Sequence, residues 1–290
     1  MRISEGHKNA QLLSRLQSNL AAKDKASEQV SSGLRVQRAS DDPQAHQVAE
    51  KLKAQGARFE SMLKTNDQLA SGLDHADRML ANATTVVDEA LRIAQQFSSD
   101  TYSAEQMAAA AKSIEGLKES LLEVANSKFQ GVHTFGGTSD QTPPYSGAGV
   151  LQGQTMSRVV EIAPREFVQT PVATDIFGDQ NNVFAVLDKI SAALSLQDTN
   201  AVRGNLEPLK GFRGSMVGAR QEIGHKLEVL EHAQGFLDAL KTEATIDAGK
   251  ATDADPAKAI SNLLSISNTL EVYAQSEDQV QQLMDQMLKL

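Results

Sequence analysis

Apolar residues recur from Val48 to Phe97 at alternating spacings of four and three positions. The series runs Val48, Leu52, Gln55, Phe59, Met62, Asn66, Leu69, Leu73, Ala76, Leu80, Ala83, Val87, Ala90, Ala94 and Phe97. A spacing held near 3.5 residues is typical of a coiled-coil seam. We therefore predict one long helix, about 75 Å in length at 1.5 Å per residue, at the centre of an elongated helical protein.

At both ends of the chain apolar residues recur at the same three- and four-residue spacings, but they form a narrower apolar stripe. This pattern predicts a helix from about residue 8 to 30 and another over the last thirty residues. Residues 1–34 hold five cations and three anions, whereas residues 260–290 hold one cation and four anions. This contrast favours pairing of the two ends with each other or with neighbouring copies; the alternative is that each packs separately on the long helix. The candidate assembly interface comprises Leu13, Leu16, Leu20, Val30, Leu263, Ile266, Leu270, Tyr273, Val280, Met284 and Met287.

A linker separates the first helix from the long one. Gly33 is placed to end a helix, and Asp42 before Pro43 indicates an N-cap followed by proline at the first helical position. Paired aspartates are also possible metal ligands, but a helix start explains both without further ligands. The candidate linker and helix-start residues are Ser31, Gly33, Arg35, Ser40, Asp41, Asp42 and Pro43.

In the middle of the chain the predicted structure changes from helix to short strands and then back to helix. Residues 102–105 open a second helix that folds back antiparallel on the first after a short connection. Glycines and prolines then punctuate residues 129–179, where short β-branched segments predict strands. Helix returns near Asn182, and a longer helix is predicted from about residue 201 to 247. Gly211, Gly214 and Gly218 share one of its faces and indicate either close approach of another helix or a solvent-facing surface.

These elements predict a mainly α fold: an elongated antiparallel coiled-coil rod with paired terminal helices and a small β-rich insert. We assign residues 1–42 and 256–290 to a terminal helical assembly domain. Residues 43–135 and 181–255 form the helical rod domain in this interpretation. Residues 136–180 form the insert, which we expect to project outward.

Composition narrows the possible functions. With 28 Lys and Arg against 37 Asp and Glu, the net charge of −9 argues against a nucleic-acid binder. The absence of cysteine excludes disulfides and thiol catalysis. No apolar run is long enough to span a bilayer, and the first residues lack the apolar region of a secretory signal peptide. His225 and His232 are too far apart to share a metal as an i, i+4 pair. We expect neither an enzyme nor a cofactor.

Several short motifs point to a family. Ser31–Val36 and Ser40–Pro43 resemble segments of the flagellin-like hook-filament junction proteins of the bacterial flagellum, of the hook-associated protein 3 type. Further similar segments are Met1–Ser4, Ala125–Gly131, Phe135–Thr138, Val217–Arg220 and Asp253–Asp255. The chain departs from the flagellin pattern at Pro43, where flagellins usually have alanine, and from the junction-protein pattern at His133 and Pro256.

The resemblance implies a structural subunit that joins the hook to the filament and polymerises through its N- and C-terminal helices. It implies as partners copies of the same chain in a junction ring, a second junction protein on the hook side, flagellin on the filament side, and an export apparatus or chaperone. The expected location is outside the cell in the flagellum, reached without a cleaved signal peptide, with no nucleic-acid or membrane partner. The alternatives are flagellin itself and a soluble coiled-coil adaptor.

Overall fold

The fold is mainly α-helical, as predicted. A computed structural model describes residues 2–99, 102–139, 141–152, 158–170, 174–179 and 181–287. The helices are α1 Arg2–Ser32, α2 Pro43–Gln96, α3 Ala104–Ala125, α4 Val183–Ser195, α5 Thr199–Gly204, α6 Leu206–Thr252 and α7 Pro256–Met287, with a 3₁₀ turn at Thr174–Phe177. The strands are β1 Lys128–Phe129, β2 Val132–His133, β3 Arg158–Ala163 and β4 Glu166–Thr170.

The chain divides into two compact units. The first, which we call the terminal unit, combines Met1–Ala57 with Leu240–Leu290, and the second, the central unit, is Arg58–Ala239. Both α2 and α6 therefore contribute to each unit, because each helix runs across a boundary between them.

The predicted seam of α2 is buried through the central unit. Its members from Leu73 to Ala94 are each at most 4% exposed. Near the start of α2, however, the predicted member Val48 is 51% exposed, whereas its neighbour Ala49 is 1% exposed. A straight α-helix drifts by about 20° per heptad relative to a 3.5-residue repeat, so the buried face rotates away from a strictly extrapolated seam.

Helices α3 and α4 complete the core beside α2. Ser103 caps α3 and exchanges hydrogen bonds with Gln106 in a capping box, which fixes where the helix begins. Lys118 Nζ lies 2.7 Å from each carboxylate oxygen of Asp188 on α4. Ser191 Oγ also donates to Glu115 Oε1 on α3, at 3.0 Å. The buried side chains of α2, α3, α4 and the first part of α6 belong to one hydrophobic cluster.

The antiparallel β3–β4 ribbon lies against α2. The inward residues Ile162 and Val168 are 0% and 7% exposed. Asn66, a polar member of the α2 seam, is completely buried and donates from Nδ2 to the Ile162 carbonyl at 2.8 Å. A buried amide needs such a partner, so the polar interruption of the seam marks where the ribbon docks.

Four aromatic side chains from the segment between α3 and α4, and from the start of α4, are buried. Phe135, Tyr145, Phe177 and Phe184 are each at most 1% exposed, and their ring centroids lie 5.0–6.2 Å apart. Tyr145 Oη donates to the Gly178 carbonyl at 2.9 Å. These rings belong to the same cluster as the helical core, so much of the segment between α3 and α4 is packed into the central unit.

The long helix predicted from about residue 201 to 247 is interrupted near its start. Asp198 caps α5 by accepting from the Ala201 amide, and the chain turns at Asn205 before α6 begins. A Cβ added at Gly211, Gly214 or Gly218 would meet nothing within 4 Å. The glycine face is therefore solvent-facing, and the hypothesis that another helix of this chain approaches it closely is wrong.

Candidate assembly site

The terminal helices pair with each other, as predicted. Helix α1 packs against α7 within the terminal unit. Ala26 on α1 and Ala259 on α7 are buried, at 2% and 6% exposed. Of the predicted interface residues, Leu16, Leu263, Ile266, Leu270 and Tyr273 are half-buried.

Other members of the predicted interface remain exposed on this pair. Leu13, Leu20 and Val30 are 57%, 46% and 38% exposed, so the contact between α1 and α7 leaves a large part of each side chain open to solvent. Helix α7 also presents the exposed apolar residues Ile260, Leu264 and Val272. Val280, Met284 and Met287 lie in α7, but their side chains are outside the described part of the structure. The paired helices thus carry apolar surface beyond what their mutual contact buries.

Helix α1 ends at a glycine in the left-handed region. Gly33 has a φ of 72°, and its amide donates to the Gln29 carbonyl at 3.0 Å. Only glycine adopts this conformation without a steric cost from Cβ. Ser32 Oγ donates to the Glu28 carbonyl at 2.7 Å, and Ser31 Oγ donates to the same carbonyl at 3.1 Å. The chain therefore leaves α1 in a defined direction.

The two linkers of the terminal unit then bond to each other. The Arg35 and Val36 amides both donate to the Thr252 carbonyl, at 2.7 and 3.1 Å. The Ala254 amide donates to the Gly33 carbonyl at 2.8 Å. This antiparallel bridge joins the end of α1 to the end of α6, although the two segments are far apart in sequence.

The Arg35 side chain adds a second tie at the same place. Its Nη1 lies 3.2 Å from Asp42 Oδ2, and its Nη2 donates to the Ala251 carbonyl at 2.8 Å. A guanidinium with its several fixed donors can hold a carboxylate and a carbonyl at once. Arg35 consequently links the start of α2 to the end of α6.

Each predicted aspartate has its own role. Asp41 Oδ1 accepts from Lys25 Nζ at 2.7 Å, and its Oδ2 accepts from the amides of Gln37 and Arg38. The hydrogen bond from Lys25 is the main reason why the pKa of Asp41 falls to about 2. Asp42 Oδ1 accepts from the Ala45 amide at 3.0 Å, which lowers the pKa of Asp42 and caps α2. Ser40 is exposed in the turn before them.

The start of α7 repeats the start of α2. Asp255 Oδ1 accepts from the amides of Ala257 and Lys258, at 3.0 and 3.2 Å, and Pro256 is the first helical residue. The resemblance of Asp253–Asp255 to the opening of a C-terminal helix, and the predicted boundary at residue 256, agree with this start. The aspartate-proline pair supplies its physical reason, as it does at residues 42–43.

The spacing of large apolar residues does not identify the buried centre of the terminal unit. This centre consists largely of small side chains: Ala26, Val36, Ala49, Ala244, Ala248, Thr252 and Ala259 are each at most 7% exposed. Alanine carries a weak hydrophobic signal in a sequence, although the four-residue spacing of positions 244, 248 and 252 places them on one helical face.

Within the described ranges no group of three histidine or acidic side chains could hold a metal ion. None of the helices in those ranges combines the length and apolar composition that a membrane span requires. His225 and His232 are exposed on α6.

Comparison with known proteins connects this arrangement to flagellar proteins. Residues 3–140 match the family of the bacterial flagellin N-terminal helical region. This match spans the first part of the chain. The chain is also 27% identical over 235 residues to flagellar hook-associated protein 3 of Escherichia coli; the alignment covers 71% of the chain and 74% of that relative.

Several solved structures share the fold of this chain. A flagellar hook-associated protein from Vibrio parahaemolyticus has a TM-score of 0.68 at 18% identity, and the superposition covers 73% of this chain and 100% of that protein's chain. For FlgL from Xanthomonas campestris the TM-score is 0.60 at 16% identity, and the superposition covers 70% of this chain and 99% of the other. For hook-associated protein 3 from Legionella pneumophila the TM-score is 0.63 at 13% identity, and the superposition covers 69% of this chain and 98% of the other.

Proposed function

We propose that this chain is a structural subunit of the bacterial flagellum that joins the hook to the filament and polymerises through α1 and α7. The observation that carries the proposal is the similarity to hook-associated protein 3 of Escherichia coli, which extends over 71% of the chain. The location proposed is outside the cell, in the flagellum.

The terminal unit supports a role in assembly. The α1–α7 pair exposes Leu13 and Leu20 on one helix and Leu264 and Val272 on the other. Burying such a side chain contributes about 1.5–3 kcal/mol when it is removed from water completely. These four side chains are 46–65% exposed, so covering each one with α1 or α7 of a neighbouring copy contributes roughly half of that amount and favours association.

The linker bridge supports the same role by a different route. Arg35 and the backbone bonds between residues 33–36 and 252–254 hold the ends of α1 and α6 together. Ordering these segments before association lowers the entropy cost of each addition to a polymer. The proposed neighbours are copies of the chain in a ring, a second junction protein towards the hook and flagellin towards the filament. We include an export apparatus or chaperone as a partner during secretion.

Flagellin itself is the second candidate, because the matched family is named for the flagellin N-terminal region. A junction subunit and flagellin are distinguished by what the medium contains after the gene of each is deleted. Deleting a junction subunit leaves hooks without filaments while flagellin is still secreted into the medium. Deleting flagellin leaves hooks without filaments and removes that protein from the medium.

The deciding experiment deletes the gene in the source organism and examines cells by electron microscopy and the medium by mass spectrometry. The junction proposal expects bare hooks and abundant free flagellin. Complementation with Leu20→Asp should fail to restore filaments although the purified variant remains helical, because a buried unpaired carboxylate costs several kcal/mol in the assembly. Leu196→Asp is the matched control, since Leu196 is 80% exposed in the central unit. Normal filaments on the deletion strain would refute the proposal.

A further inference from the structure

The apolar seam of α2 repeats itself along the helix. Leu73, Leu80 and Val87 stand one heptad apart, and so do Ala76, Ala83 and Ala90. All six are at most 4% exposed. If α2 slid past a neighbouring helix by one heptad, two of the three large residues would replace large residues and two of the three alanines would replace alanines. At the ends of the stretch, the slide would bring in Asn66 and Leu69, or Ala94 and Phe97. Hydrophobic packing at the centre of this stretch therefore discriminates only weakly between registers.

The two arginine contacts between α2 and α6 do not share that repeat, whereas Gln234 would meet Glu60 or Asp74 after a slip of one heptad. Arg220 Nε lies 2.8 Å from Asp77 Oδ1, and Arg220 Nη2 lies 3.2 Å from Oδ2. Arg213 pairs in the same way with Asp88. Gln234 Nε2 donates to Asp67 Oδ1 at 2.7 Å. As residue numbers rise along α2 they fall along α6, so these three contacts form an antiparallel ladder.

A slip of one heptad in either direction breaks both arginine contacts. Arg220 would then face Ala70 or Thr84 in place of Asp77. Arg213 would face Ala81 or Gln95 in place of Asp88. None of these four residues is a carboxylate, so the slipped arrangements lose both ion pairs while the centre of the apolar seam stays matched.

Stability alone does not account for the ladder. The side chains of Arg220 and Asp77 are 39% and 32% exposed, and those of Arg213 and Asp88 are 46% and 45% exposed. Exposed ion pairs stabilise proteins little, whereas mismatched charges discriminate effectively between alternative pairings.

We propose that Arg213 and Arg220 set the register between α2 and α6 along residues 73–90, where the heptad repeat of the seam specifies it only weakly. This inference is independent of the proposed function, because it concerns contacts inside the central unit. It also gives a physical role to Arg220, the last residue of the Val217–Arg220 motif.

The absence of native cysteine makes the register directly measurable by cross-linking. One reporter carries Asp67→Cys with Gln234→Cys, which are partners in the observed register. Two slipped reporters combine Gln234→Cys with Glu60→Cys or with Asp74→Cys, each one heptad away from position 67 on α2. A short bismaleimide applied to the full-length chain then reports which pair lies close.

Charge reversal tests the proposal in these reporters. Asp77→Arg with Asp88→Arg should lower the cross-linking of the native pair several-fold and raise that of a slipped pair. Adding Arg213→Asp and Arg220→Asp should restore the native pattern, because the ladder is rebuilt with opposite signs. Glu207→Lys with Lys210→Glu is the control, since it reverses an ion pair contained within α6 and should change nothing.

Three results would overturn the proposal. The first is an unchanged native cross-link in the Asp77→Arg/Asp88→Arg chain. The second is failure of the fourfold exchange to restore the native cross-link, including through loss of the helical circular dichroism signal. The third is an equal loss of native cross-linking in the control, which would attribute the effect to general charge change.

Discussion

Replacing Gly33 by alanine isolates the cost of the left-handed turn that ends α1. The residue has a φ of 72°, and an added Cβ would meet nothing within 4 Å, so conformational strain is the main term that changes. Forcing an L-residue into this region costs about 1–2 kcal/mol, only partly offset by the lower entropy of the unfolded chain. We expect Gly33→Ala to destabilise the end of α1 by about 1 kcal/mol.

Hydrogen exchange of the amides in residues 13–32 is the appropriate assay, because it reads local opening where global unfolding need not be two-state. A loss of about 1 kcal/mol raises the exchange rate roughly fivefold. Gly33→Asn should show a smaller increase, since asparagine tolerates the left-handed region better than alanine.

Gly56 provides the matched control in the same unit. It lies in α2, and a Cβ there also meets nothing within 4 Å. Gly56→Ala should stabilise α2 by about 0.5–1 kcal/mol, because alanine is the better helix former. Glycine-to-alanine replacement should therefore lower stability at Gly33 and raise it at Gly56, and this difference in sign identifies the left-handed turn at Gly33. Equal effects at both sites, or an unchanged α1 in Gly33→Ala, would refute the assigned role of Gly33.

Further predictions concern the two units separately. Tyr145→Phe should cost about 1 kcal/mol in urea unfolding, because the Gly178 carbonyl loses its donor; Tyr102→Phe, at a half-buried ring near the α2–α3 turn, should be nearly neutral. Leu80→Ala should cost about 3–5 kcal/mol at a fully buried site, whereas Leu196→Ala should cost little at 80% exposure. The pKa of Asp41, lowered to about 2 from 3.8, means that its carboxylate stabilises the linker fully above about pH 4 and ceases to do so as the pH falls through 2. Unfolding midpoints between pH 5 and 2 should therefore fall less steeply in Asp41→Asn.

Periodicity predicted the buried part of the α2 seam because Leu73, Leu80 and Val87 recur at heptad spacing and alanines fill the positions between them. The pairing of α1 with α7 follows from the apolar stripes of the two terminal helices. The helix start at Asp42 and Pro43 was also readable, since it depends on local backbone chemistry alone.

Contacts between residues that are distant in sequence could not be predicted from local sequence patterns. The bond from Asn66 to the Ile162 carbonyl and the bridge from Arg35 to Thr252 depend on which segments meet in three dimensions. Periodicity places Asn66 on the seam of α2 but does not show which group it bonds to. The buried cluster around Tyr145 follows from tertiary packing that no local pattern encodes.

The small side chains at the centre of the terminal unit have a thermodynamic consequence. A buried alanine removes far less apolar surface from water than a buried leucine, and the heat-capacity change of unfolding scales with that surface. Among the described side chains, the buried positions of this unit are mostly alanine. Its free energy of unfolding should therefore vary only gently with temperature, and its contacts should keep nearly the same strength in cold and warm surroundings.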